Sequence, residues 1–143
     1  MAGSRRRGSP QPRAERFLAR AARQVLAWER AHDTRVELTL LGAAAMRRLN
    51  RRATGRRGLT DVIAFTLPQP DGSTLGDVYL CPAATEPWVQ DGVASRREEL
   101  VRLVVHGTLH VLGYDHPAGP GRVRSTMWRT QERYVRRLLA RSP

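Results

Sequence analysis

Between Val105 and Pro117 the chain reads His106-Gly107-Thr108-Leu109-His110-Val111-Leu112-Gly113-Tyr114-Asp115-His116, which places three of its four histidines within eleven residues. His106 and His110 are four apart, so on a helix their imidazoles project from one face. Gly113 can take a positive φ without a Cβ penalty, as helix C-termini often require. The chain can therefore leave the helix and fold His116 back toward the other two. A bare histidine pair at helical spacing is more often packing or surface decoration; the third histidine after the glycine turn makes the pattern a ligand set. Three neutral imidazoles meeting at a point form a zinc site with an open position for water, the arrangement of catalytic rather than structural zinc. A closed site needs a fourth protein ligand. Cys81, the only thiol, lies at the end of a predicted strand, and Asp115 is adjacent to His116, where strain disfavours a shared metal. Asp115 is expected instead to accept a hydrogen bond from an imidazole N–H.

The spacing is similar to the zinc-binding run of the metzincin proteases, H-E-x-x-H-x-x-G-x-x-H, glycine included. It departs where those proteases carry the glutamate that acts as general base on the bound water. That place is Gly107 here, and a peptidase without its proton acceptor is disfavoured.

All 25 basic side chains are arginine, and the formal net charge is +12. The distribution is uneven: residues 1–60 carry 15 Arg against 4 acids, residues 61–121 carry 3 against 8, and residues 122–143 carry 7 against 1. The histidine run thus lies in an acidic segment between two strongly basic ones. A genome biased toward arginine codons explains the missing lysines but not the excess of positive charge. That excess points to a polyanionic partner, most simply nucleic acid or the ribosome. One cysteine excludes an intramolecular disulfide framework and fits a reducing compartment. No stretch approaches the roughly 20 apolar residues that span a bilayer, and Met1–Arg16 has no apolar core of the secretory kind. No membrane association is expected, and the cytoplasm is the default location.

A length of 143 residues predicts one domain. Residues 1–12 read as a flexible basic tail and 13–143 as a single folded unit. An amphipathic helix is predicted over 13–31, a strand over 34–41 with Val36, Leu38 and Leu40 on one side, and a short helix over 42–52. A loop over 53–59 carries Arg56 and Arg57. Strands follow over 60–67 and 75–81, antiparallel to each other because the turn around Pro70-Asp71-Gly72 is short. Ser95 with Glu98 forms a capping box that opens a helix over 96–112, which carries His106 and His110. A last helix runs over about 121–141 with an arginine-rich outer face. The expected fold is α+β: a single domain of helices packed on a small mixed, mostly antiparallel sheet, with the zinc site at the end of a core helix.

The histidine run resembles the H-G-x-L-H-L-x-G-Y-D-H signature of the YbeY family of bacterial endoribonucleases and rRNA maturation factors. Leu49-Asn50 followed by Thr60-Asp61-Val62-Ile63-Ala64-Phe65 is similar to a second block of that family, and Leu75-Gly76-Asp77-Val78 with Cys81 to a third. The resemblance covers roughly 35–139. It implies a single-strand-specific endoribonuclease acting in 16S rRNA 3′-end maturation and ribosome quality control, with one zinc ion per chain held by His106, His110 and His116. Its partners would be the 16S rRNA precursor and the small ribosomal subunit; protein partners are not readable. One functional residue does not carry over: the arginine that the family places in the loop after Leu-Asn aligns with Thr54. Leu59 and Ala64 stand where proline and serine are common. Arg52, Arg56 and Arg57 are the RNA-contacting candidates to replace the missing arginine.

Zinc bound by three imidazoles keeps its full charge and draws the pKa of a bound water toward about 7. Attack on phosphorus by that water or by the ribose 2′-OH both remain open, with a loop arginine countering the charge that develops. No carboxylate is available in the motif as general base. A second reading, favoured by the loss of the loop arginine, is a zinc-stabilised ribosome assembly factor with little intrinsic catalysis.

Overall fold

The computed structural model describes residues 13–90, 92 and 95–141. The stretch 1–12, expected to be a basic tail, lies outside the described residues. The elements in chain order are α1 (Arg13–Trp28), β1 (Thr34–Leu40), α2 (Ala43–Thr54), β2 (Val62–Pro68), β3 (Thr74–Leu80), a 3-10 turn (Pro82–Thr85), α3 (Glu86–Gln90), α4 (Arg96–Val111), a second 3-10 turn (Gly119–Arg124) and α5 (Thr126–Ala140). The last helix is shorter than its apolar pattern predicts. Ser125 interrupts it and caps α5, its side chain accepting the Trp128 N–H.

The three strands lie in the order β1-β3-β2. The hairpin closes as expected: β2 and β3 pair antiparallel from Val62↔Leu80 to Pro68↔Thr74. Asp71 fixes the turn by accepting from the Ser73 N–H and hydroxyl. β1 pairs with β3 in parallel, Thr34↔Thr74 through Leu40↔Leu80. The sheet is therefore mixed, as expected, but with one pairing of each kind rather than an antiparallel majority. Successive strands do alternate in direction; β3 inserts between the first two, and that insertion aligns it with β1.

Helix α4 is the centre of the molecule. Val101, Val104, Val105 and Leu109 are wholly buried, each contributing on the order of 1.5–3 kcal/mol. A helix apolar on nearly every side must be enclosed: it packs on β2 and β3, with α1 and α5 against it. Ser95 caps it by accepting the Glu98 N–H. The Glu98 carboxylate, expected to return the bond, turns instead to Arg102.

Two glycines bring α4 down onto the sheet. A Cβ on Gly107 would lie 2.7 Å from Val78 Cγ1 and 3.3 Å from Val62 Cγ2, and one on Gly76 would lie 2.6 Å from both Val111 methyls. The one polar stripe that α4 retains runs Glu98, Arg102, His106, His110 at four-residue steps, and it leads to the histidine cluster.

Candidate metal centre

His106 and His110 leave α4 from successive turns, as their spacing requires. Beyond them the helix ends in paired backbone bonds, Tyr114 N–H to Leu109 O and Gly113 N–H to His110 O, both at 3.0 Å, with Gly113 at φ +96°. This is the Schellman termination, which needs a left-handed residue at that place. It reverses the chain and returns His116. The ligating atoms of the three histidines all lie within 4.8 Å of one another, and they form the cluster of potential metal ligands found among the described residues. Cys81 is elsewhere, buried in the core.

Each ring has its Nδ1 engaged. His106 Nδ1 lies 2.7 Å from Gln131 Oε1, His110 Nδ1 3.0 Å from the Tyr114 carbonyl, and His116 Nδ1 3.1 Å from the Pro117 carbonyl. All three partners are oxygen acceptors, so Nδ1 carries the proton and Nε2 keeps its lone pair. The Nε2 atoms of His106 and His110 stand 3.0 Å apart. Zn–N bonds of 2.0–2.1 Å at tetrahedral angles place ligand nitrogens about 3.3 Å apart, so this pair is already close to the spacing of a shared cation. Burial keeps both rings neutral. It pushes His106 down to about 4 against the opposing hydrogen bond to Gln131, and it lowers His110, to which repulsion from the neighbouring His116 side chain adds. Neutral imidazoles are the form that binds metal, and this donor set can hold an ion.

Tyr114 secures the turn at both ends. Its carbonyl receives His110, and its ring packs against the core. The Glu29 carboxylate beside its phenol pushes that group up to about 12. Asp115 does not accept from an imidazole as expected; its Oδ1 takes the backbone N–H of His116 at 2.8 Å. An aspartate followed directly by its histidine reaches the main chain more easily than the ring.

A groove of about 610 Å³ opens on His106 and His110 and runs along the free edge of β2 past Val62, Ile63 and Ala64. Its far wall is the loop after α2. Asn50 and Thr54 line it with Arg56 and Arg57, and Arg52 does not. Helix geometry explains the split: α2 continues through Thr54, so Asn50 and Thr54 share a face from which Arg52 points away. Thr54 is committed locally. Its hydroxyl lies 2.8 Å from both the carbonyl and Oδ1 of Asn50 and accepts the Arg56 N–H at 3.1 Å. Asn50 also donates to the Gly58 carbonyl. These bonds shape the loop that presents the two arginines. No carboxylate is among the described residues that line the groove.

Gly107 bears on the peptidase alternative. Its missing side chain points at Val78 and Val62, so a glutamate there would run into the sheet rather than toward the histidines. Sequence reasoning missed three residues behind the cluster: Gln131, Glu132 and Arg102. The signal was a polar side chain, Gln131, at helical spacing between Met127 and Val135 in the apolar stripe of α5.

A family description, "Endoribonuclease YbeY", matches residues 5–139. The chain is 35% identical over 136 residues to a protein of that name from Micrococcus luteus, the match covering 89% of this chain and 85% of that one. It is 38% identical over 105 residues to the one from Anaeromyxobacter sp., covering 72% of this chain and 54% of the relative. A solution structure of a Thermotoga maritima protein superposes with a TM-score of 0.65 at 27% identity, covering 93% of this chain and 87% of that one.

Proposed function

This chain belongs to the endoribonuclease YbeY family, and from that premise we propose that it is a zinc-dependent, single-strand-specific endoribonuclease. Its role would be 16S rRNA 3′-end maturation and ribosome quality control in the cytoplasm, as one domain over 13–143. The observation that carries this reading is the shared groove: His106 and His110 face the same space as Arg56 and Arg57. A metal position beside fixed cations suits cleavage of a phosphodiester, whose transition state gathers negative charge.

His106, His110 and His116 would hold one zinc ion, which when bound supplies Lewis acidity toward a phosphate oxygen or a water. The remaining work falls to the chain itself. Arg56 and Arg57 bind the phosphate from the opposite wall and counter the charge that builds on phosphorus. Asn50 and Thr54 hold that loop in place. The arginine-rich segments on either side of the acidic middle of the chain grip the RNA backbone without reading sequence. The cut is therefore placed by the ribosomal context, the small subunit and its precursor RNA.

The test combines elemental analysis of the purified protein with cleavage of a single-stranded rRNA 3′-end substrate. One zinc per chain is expected, with cleavage lost at least 100-fold in His110→Ala and in Arg56→Ala/Arg57→Ala. Stoichiometric zinc without cleavage in the wild type would replace this reading with a zinc-stabilised ribosome assembly factor. No metal at all would remove its basis.

A further inference from the structure

We propose that Gln131, held by Glu132 and Arg102, is a positioning residue that locks His106 in the Nδ1–H tautomer and so aims its Nε2 lone pair at the metal. The inference rests on the metal reading above and goes beyond it, because none of these three residues is a ligand. His110 and His116 donate to backbone carbonyls, which cannot turn over. His106 alone depends on a side chain, and a primary amide presents oxygen or nitrogen according to how it is turned.

The amide of Gln131 is turned by its neighbour. Gln131 Nε2 donates to Glu132 Oε2 at 3.0 Å, and a carboxylate can only accept, so Oε1 must face His106. The carboxylate is itself fixed by a two-pronged contact: Arg102 Nε to Oε2 and Nη2 to Oε1, each at 2.9 Å. Arg102 also reaches Glu98 and Glu99 on its own helix. The path starts on α4 at Arg102, crosses to α5 through Glu132 and Gln131, and returns to α4 one turn later at His106. Gln131 is 1% exposed, which leaves water little access to replace a lost bond. Partners of this kind typically govern metal affinity by 10–100-fold.

The experiment has two arms. In the first, long-range proton–nitrogen NMR of metal-free protein reads the His106 tautomer. A single Nδ1–H form is expected in the wild type and a mixture in Gln131→Leu; an unchanged pattern in a folded Gln131→Leu protein overturns the proposal. In the second, chelator competition reads zinc affinity, with a thermal melt as the check on folding. Gln131→Leu and Glu132→Ala are each expected to weaken zinc about 10-fold or more. In the Gln131→Glu background, where either oxygen accepts from His106 and no orienting partner is needed, Glu132→Ala should cost nothing further. An equal loss in both backgrounds would make Glu132 a structural tie only and overturn the relay. A wild type that binds no zinc would sink the metal reading, while the tautomer arm would still decide this one.

Discussion

At the scale of single residues, Gly107 sets the distance between α4 and the sheet, and the three histidines gather as their spacing predicts, because that spacing is a local property. Gly107 was legible only as an absence, the missing glutamate of a peptidase. Its positive role, letting α4 approach β3, depends on Val78 and Val62, which lie far from it in sequence. Gly107→Ala should therefore destabilise the protein by about 1–3 kcal/mol, because Val78 is wholly buried and has nowhere to move. Urea unfolding measures it; a change below about 0.5 kcal/mol, the range of ordinary surface substitutions, would mean that helix and sheet separate without cost. Gln131 was not legible as a partner of His106. A buried glutamine in an apolar stripe signals that some polar partner exists but does not say which.

At the scale of elements, periodicity located the three strands and α1, α2, α4 and α5 but not the five-residue α3, too short to show a period, and turn chemistry located the hairpin and the cap at Ser95. Two features needed the third dimension. The sheet order depends on which edge β3 joins, and sequence neighbours need not be sheet neighbours. The choice between Arg52 and the pair Arg56 and Arg57 depended on how far α2 continues; two more helical residues turn Arg52 away from the groove. The element that completes the site is the helix termination at Gly113. Gly113→Ala forces a side chain into φ +96°, a conformation costing of order 1–3 kcal/mol. Zinc affinity in that variant should fall more than in a destabilised control away from the cluster, such as Val25→Ala in α1, because the strain is spent on the turn that returns His116. Equal affinities would show that His116 finds its place without the turn.

At the scale of the whole molecule, the charge division along the chain was visible in the sequence, whereas its consequence for pH is set by burial. Folded His106 stays neutral down to about 4, while the unfolded side chain takes its proton near the ordinary 6.5. Between those values the unfolded state binds more protons, so the stability of metal-free protein rises with pH across the window and is lost as pH falls through it. Thermal melts of metal-free protein should show a lower midpoint at pH 5 than at pH 7, with the difference reduced in His106→Gln. A midpoint independent of pH over that range would contradict the burial of this imidazole. No helix among the described residues is long and apolar enough to cross a membrane.

The close seating of α4 on the sheet also divides the histidine cluster into two parts. His106 and His110 flank the glycine that touches Val78, so they stand on a frame with almost no slack against the strand edge that walls the groove. His116 stands on a reversed turn, tied through the Pro117 carbonyl and Asp115. The cluster therefore has two supports of different kinds, a helix seated on the sheet and a turn hung on Gly113, so a change in the turn displaces one ring and spares the other two.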